Sequence, residues 1–269
     1  MTADYVITEA GVGADLGAEK FFDIVCRHAD LWPSAVVLVV TGRAIKRHGG
    51  VPTKPSDLLT RPQPEAFRKG LANVDRHLAN LRRFGVSVVV AMNRFPWDTP
   101  DEIEMLRAFC DEREVAFAPH EAFAQGGAGA IDLAETVVAV ADANPAPTPR
   151  FLYDLAASPE EKIEAIATEL YGARGLYFEP RARKTLGGAV GEGAAHEDGM
   201  ACEEVAVVVP ELERAIRGAR DGVERHPRNE GLGRVLGVVG LPPAAVPNVE
   251  ERGRAGLDAS NPGGFVRPQ

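Results

Sequence analysis

Two valine-rich, largely apolar runs, Ala35 to Thr41 and Val86 to Ala91, limit this chain more than anything else in it. A strand with one face in water alternates apolar and polar residues. A run without that alternation, dominated by β-branched apolar residues, needs cover on both faces, the situation of a parallel sheet between helices. The segments around these runs supply that cover. Asp15 to Arg27 reads as a helix after a short strand, Tyr5 to Thr8. Glu65 to Arg83 sets Phe67, Leu71, Val74, Leu78 and Leu81 on one helical stripe before Gly85 breaks it. Thr99, Pro100 and Glu102 form a helix start, with Thr99 as cap and Glu102 placed to reach back to it; Ile103, Leu106 and Phe109 are its inner face. Val115 to Ala118 is a further short strand and Ala130 to Ala143 a further helix. Pro145, Pro147 and Pro149 make a linker, and Ser158 to Glu161 caps a helix running through Ile163, Ile166 and Leu170 to Gly172. Strand and helix in alternation predict an α/β fold with a mostly parallel sheet and right-handed crossovers.

The chain changes character near residue 186. Residues 1–186 hold 16 of the 17 aromatics and all six lysines, whereas 54 of the last 83 residues are Gly, Ala, Val, Pro or Arg. So little large apolar surface predicts a poorly ordered carboxyl-terminal tail over 187–269, with a strand at Ala201 to Val209 and a helix near Glu211 to Arg220 as its ordered pieces. The expected organisation is an α/β domain over 1–148, a small helical segment over 149–186 and that tail. Three widely separated cysteines fit neither a disulfide scaffold nor a Cys-x-x-Cys zinc site, and no metal site is read. The apolar runs are too short to span a bilayer, and the first residues are no export signal, so a cytoplasmic protein without membrane contact is expected. A net charge of −9 argues against a nucleic-acid partner, and the cations of Arg61 to Lys69 and Arg76 to Arg83 read as a solvated helix face.

In a parallel sheet, ligands gather beyond the carboxyl ends of the strands. The loop after the first strand carries Gly11, Gly13 and Gly17, either an anion cradle of backbone amides or a plain tight turn. The loop after Val40 carries Arg43, Lys46 and Arg47, which suit a phosphate or carboxylate; an exposed basic turn is the alternative. The third loop, Asn93 to Asp98, places Phe95, Trp97 and an amide at a strand tip. The fourth sets Phe123 beside Gly126, Gly127 and Gly129. Aromatic loops on neighbouring tips suit the gripping of a flat heterocycle, or ordinary packing of a lid. A guanine-nucleotide protein is a further, weaker reading, since the Asn-Lys-x-Asp spacing is absent. No residue pattern identifies a catalytic group.

The stretches VITEAGVGADLGAEKFFDIVCR, VVTGRAIKRHGG, GLANVDRHLANLRRFGVSVVVAMNRFPWDT and the Phe-Ala-Gln-Gly-Gly loop resemble formate–tetrahydrofolate ligase over about residues 3–184. Val39 to Gly50 is similar to that family's Val-Ala-Thr-Val-Arg-Ala-Leu-Lys-x-His-Gly-Gly motif. The resemblance implies ligation of formate to N10 of tetrahydrofolate with ATP, through formyl phosphate, giving 10-formyltetrahydrofolate. It implies ATP and Mg2+, a stimulating monovalent cation, and a homotetramer. It implies a sheet of P-loop-NTPase type whose amino-terminal part, with the phosphate loop, lies upstream of this chain. It also implies a pterin site at Phe95 and Phe123, with Asn93, Gly126 and Gly127 around it, and anion contacts at Arg43, Lys46, Gly11 and Gly13. The family usually has Trp at the position of Phe123 and Phe at that of Val12, which trims two rings. The bias of 187–269 matches a GC-rich gene read out of frame, so a fragment or frameshifted copy of the ligase is expected. Such a chain is incomplete as an enzyme alone. The alternative is a non-catalytic folate-binding or subunit-pairing fragment that works with a separate amino-terminal chain.

Overall fold

The computed structural model describes residues 4–144, 147–180, 182, 183, 186 and 234–240. Five strands, β1 (Tyr5–Gly13), β2 (Pro33–Val40), β3 (Val88–Asn93), β4 (Ala116–His120) and β5 (Arg234–Gly240), form one sheet in the order β1-β5-β2-β3-β4, and every pairing is parallel. The helices are α1 (Ala14–Lys20), α2 (Arg27–Ala29), α3 (Gly42–His48), α4 (Pro64–Arg83), α5 (Pro100–Asp111), α6 (Ala122–Gln125), α7 (Ile131–Ala143) and α8 (Pro159–Glu169). A π-helical segment, Phe21–Cys26, joins α1 to α2, so residues 14–29 are helical throughout.

The valine-rich runs are buried from both sides, as their composition requires. In β2, Val36, Leu38 and Val40 pack with α1, α3, α4 and α5, while Ala35 and Val37 point to the other face, where Leu133, Ala134 and Val137 of α7 cover them. In β3 the same alternation sends Val88, Val90 and Met92 one way and Val89 and Ala91 the other. The result is a three-layer sandwich with its helices unevenly shared. All five stripe residues of α4 are buried, which at roughly 1.5–3 kcal/mol per large apolar side chain makes this helix the main prop of its face. No helix among the described residues is long and apolar enough to cross a membrane.

Three local details differ from the sequence reading. First, β1 continues past Thr8 to Gly13, with a register break after Glu9 and Gly11 in the left-handed region at φ 59°. The bulge brings Gly11 under the following helix: a Cβ on Gly17 would lie 1.7 Å from the Gly11 carbonyl oxygen. Gly17 is therefore a packing glycine. Second, Thr99 caps α5 by accepting from the Glu102 amide at 3.2 Å, but the Glu102 side chain does not return to the cap. It turns inward to a buried lysine, a stronger claim on a carboxylate than a surface amide. The same motif at Ser158 and Glu161, with no such cation beneath it, closes as a full capping box. Third, a strand at 234–240, where no element was expected, runs between β1 and β2. The strand and helix expected at 201–209 and 211–220 lie outside the described residues.

Candidate functional site at the carboxyl ends of the strands

Register brings the third and fourth loops together. Asn93, the last residue of β3, pairs with His120, the last of β4. The Arg94 amide donates to the His120 carbonyl at 2.9 Å, and the Arg94 guanidinium pairs with Glu121 at 2.8 Å. These links fix two loops that carry three aromatic rings. Phe95 lies flat on Trp97, with centroids 5.0 Å apart and planes 2° from parallel. Phe123, 69% exposed on the single turn of α6, tilts toward Phe95 with a centroid separation of 6.2 Å. A flat ring held between two others needs about 7–8 Å between them, two carbon contact distances of about 3.5–4 Å. The Phe95–Phe123 separation falls short of this by about 1–2 Å, so clamping a heterocycle requires Phe123 to swing outward. Its exposure and its place on a one-turn helix ending at Gly126, itself at φ 59°, leave room for that movement. Gly127 lies in the adjoining 3-10 turn, Gly126–Ala130, which the Glu121 amide closes by donating to the Gly129 carbonyl at 2.9 Å.

Buried polar groups surround the rings. Asp98 accepts the Phe95 amide through Oδ2 at 2.8 Å, which folds the loop so that Phe95 meets Trp97. Its Oδ1 is buried without a hydrogen-bond partner, and burial pushes the carboxyl above its usual range although the Phe95 amide opposes this. Asn93 Oδ1 and Trp97 Nε1 are likewise buried without partners. His120 accepts the Ala122 amide through Nδ1 at 3.4 Å, which places its ring proton on Nε2, where it has no partner; burial lowers the imidazole to about 4, so it is neutral at pH 7. Unsatisfied buried polar atoms are costly, and several at one strand end mark a place where a polar ligand can supply the missing partners.

The second loop reaches the same place from β2. A Cβ on Gly42 would lie 2.5 Å from Asp98 Oδ1, so only glycine lets α3 come this close to the third loop. Arg43, exposed, sets its guanidinium 5.9 Å from the centre of the Trp97 ring and is available to an anion beside the aromatic face. Lys46 is placed differently. It is wholly buried, with Nζ 3.1 Å from Glu102 Oε2 and 3.2 Å from the Arg61 carbonyl, while Glu102 Oε1 accepts the Gln63 amide at 3.1 Å. Its charge is committed inside the protein rather than offered at the loop. Gly11 and Gly13 belong to β1, which β5 and β2 separate from β3. Three strand spacings of about 4.8 Å put them about 14 Å from the aromatic tips. The sequence places Asp98 and His120 in these loops without giving either a role, and reads Glu102 only as a capping residue. Burial distinguishes them, and no spacing rule signals it for a lone acidic or histidine residue.

The described residues include no group of three or more His, Cys, Asp or Glu side chains placed to hold a metal ion.

Comparison with known proteins gives the family. The chain is 48% identical to the formate–tetrahydrofolate ligase of Phocaeicola vulgatus over 184 residues, 68% of this chain and 33% of that protein. It is 46% identical to the ligase of Thermus thermophilus over 207 residues, 77% of this chain and 35% of the relative. It is 49% identical to the ligase of Myxococcus xanthus over 187 residues, 68% and 33% of the two chains. The chain thus spans about a third of the length of the curated relatives it matches. The family model for formate–tetrahydrofolate ligase matches residues 1–198, which take in all four loops just described, and the chain belongs to the formate–tetrahydrofolate ligase family.

Proposed function

We propose that the cleft at Phe95, Trp97 and Phe123 binds the pterin of tetrahydrofolate, as part of a ligase that joins formate to its N10 nitrogen using ATP and yields 10-formyltetrahydrofolate. The observation that carries this reading is the pairing of Phe95 and Phe123 on neighbouring strand tips within a chain segment of that family. In this reading a pterin stacks on Phe95, which Trp97 backs, and Phe123 closes from the solvent side. Asn93 Oδ1 and Asp98 Oδ1, both without donors, suit the N–H edges of such a ring. Arg43 suits the substrate's negative charges. The chain's own residues bind, orient and keep water from the ring; stacking on aromatic faces is worth about 1–3 kcal/mol per base in comparable sites, and positioning accounts for much of the rate in transfers of this kind.

ATP and Mg2+ fit the described residues poorly. Lys46 is engaged with Glu102, and the described residues bring together no three His, Cys, Asp or Glu side chains that could hold a metal ion. The sheet of P-loop-NTPase type, the monovalent cation, the cytoplasmic setting, the homo-oligomer and the division at residues 148 and 186 belong to the same proposal. The second reading, a folate-binding or subunit-pairing fragment without activity of its own, is favoured by that poor fit.

The test uses the whole purified chain. Trp32 and Trp97 are its two tryptophans, so the Trp32→Phe variant reports on the site alone. Tetrahydrofolate is expected to quench Trp97 emission saturably, and ATP- and formate-dependent formation of 10-formyltetrahydrofolate distinguishes the ligase from the fragment. Absence of both quenching and turnover overturns the pterin reading.

A further inference from the structure

The interior of the sheet, between the edge strand β1 and β2, holds a strand from outside the family match. That match ends at residue 198, and β5 begins at Arg234. Yet β5 alone connects β1 to the remaining strands: Val6 to Glu9 pair with Val235 to Val238, and Ala35 to Val39 pair with Leu236 to Gly240. With β5 removed, β1 and β2 face each other across about 10 Å, twice the strand spacing, and each presents a row of unmatched amides and carbonyls. Helices cover β2 on both faces, so the slot has walls of backbone and a floor and roof of side chains. Such a slot admits one parallel strand, apolar on both faces. Curated relatives about three times as long as the matched segment align with the segments that form the strands on both sides of it, and a sheet does not stand with a strand missing from its interior.

We propose that the space between β1 and β2 is an acceptor slot for one parallel strand of a longer formate–tetrahydrofolate ligase chain, and that Arg234–Gly240 is an exchangeable plug for it. That strand comes from the part of the ligase that the matched segment does not cover, and it joins the sheet by backbone hydrogen bonds, with apolar side chains giving the fit. The inference stands on strand order and family match rather than on folate binding, so either reading can fail without the other.

The experiment compares three forms of the full chain on an array of overlapping peptides spanning the Thermus thermophilus ligase, with a peptide of residues 232–242 of this chain as the self probe. Val238→Pro takes a ladder amide from the middle of β5 and expels it. Val37→Cys with Val238→Cys, at paired positions, locks β5 in place as a disulfide. V238P is expected to bind the self peptide and one apolar segment from outside the covered third of the ligase. The unmodified chain binds these weakly and the locked chain not at all. Identical profiles for V238P and the locked chain, or binding confined to segments inside the covered third, overturn the proposal. Amide exchange on the unmodified chain guards against a V238P protein that does not fold. Protection at 235–239 comparable to that at Val36–Val39 supports the plug, and free-chain exchange there removes it.

Discussion

Replacing Lys46 with Met tests where its charge resides. The ammonium is wholly buried, and so is the Glu102 carboxylate it meets at 3.1 Å. The Arg61 carbonyl and Gln63 amide complete the arrangement, tying α3, α5 and the approach to α4 together. Methionine keeps most of the side chain's volume and removes only the charge. Glu102 is then left buried with one backbone amide, and breaking such a pair from one side costs about 3–5 kcal/mol. For a folded unit of this size that lowers the melting temperature by about 6–20 °C. Lys46→Met with Glu102→Met removes both charges and leaves the Gln63 amide without its acceptor and the Arg61 carbonyl without its donor, neutral groups that cost about 1–3 kcal/mol each where they stay buried, with no charge left uncompensated. The double variant is therefore expected to be more stable than either single one. Urea unfolding followed by circular dichroism, with equal m-values across the set, gives the comparison. If Lys46→Met costs less than about 1 kcal/mol, or the two losses simply add, the ammonium lies in water and is free for an anion, and the buried pair is refuted.

Phe95→Ala is expected to weaken tetrahydrofolate binding by about 1–3 kcal/mol in the Trp97 quenching assay, and an unchanged dissociation constant shows that the ring only packs. Phe123→Trp, which enlarges the outer ring, is expected to tighten binding in the same assay; weaker binding means that Phe123 does not close on the ligand. Gly17→Ala drives a Cβ into backbone 1.7 Å away and is expected to cost about 1–3 kcal/mol or more in urea unfolding, whereas a neutral result removes the bulge contact between β1 and α1. Burial holds His77 down at about 4, against 6.5 in water. A lowered value in the folded state means that its contribution is complete above pH 6.5 and is lost as the pH falls toward 4, by up to about 3 kcal/mol. The buried carboxyls Glu19, Asp23 and Asp98 are raised and act in the opposite sense. His77→Leu isolates the histidine: it is expected to flatten the fall of stability between pH 6.5 and 4, and an unchanged slope places His77 in solvent.

What the sequence conveyed follows from which forces leave periodic traces. The two-face burial of β2 and β3 is written in runs dominated by valine, and the face of α4 in its 3.6-residue stripe; the stripe came through to the residue and the strands within two residues at each end. Strand tips follow from strand ends, so the meeting of the Phe95 and Phe123 loops was legible as well. Glu102 was not. Its position three residues after Thr99 is that of a capping-box acid, and only the presence of Lys46 beneath it, from a segment 56 residues away, decides otherwise. Arg234–Gly240 was hidden for another reason. Its Gly, Val and Arg composition matches the sequence around it, and pairing on both edges, rather than propensity, makes it a strand.

The same distinction bears on the ligand. Trp97 holds one face of Phe95 and Asp98 holds its backbone, so Phe95 is preorganised, whereas Phe123 has neither support. A clamp with one fixed and one swinging jaw loses affinity in two different ways. Removing the fixed ring takes away contact outright. Tightening the moving one recovers the freedom that Phe123 gives up on closing, about 0.5–1.5 kcal/mol for an immobilised side chain. Gly126→Ala, at a φ of 59° that disfavours any Cβ, perturbs the hinge without touching a ring. It is expected to slow tetrahydrofolate association in stopped-flow quenching while leaving the spectrum of the bound state unchanged. An association rate equal to that of the parent chain means that the gap is already wide enough in solution and that no swing takes place.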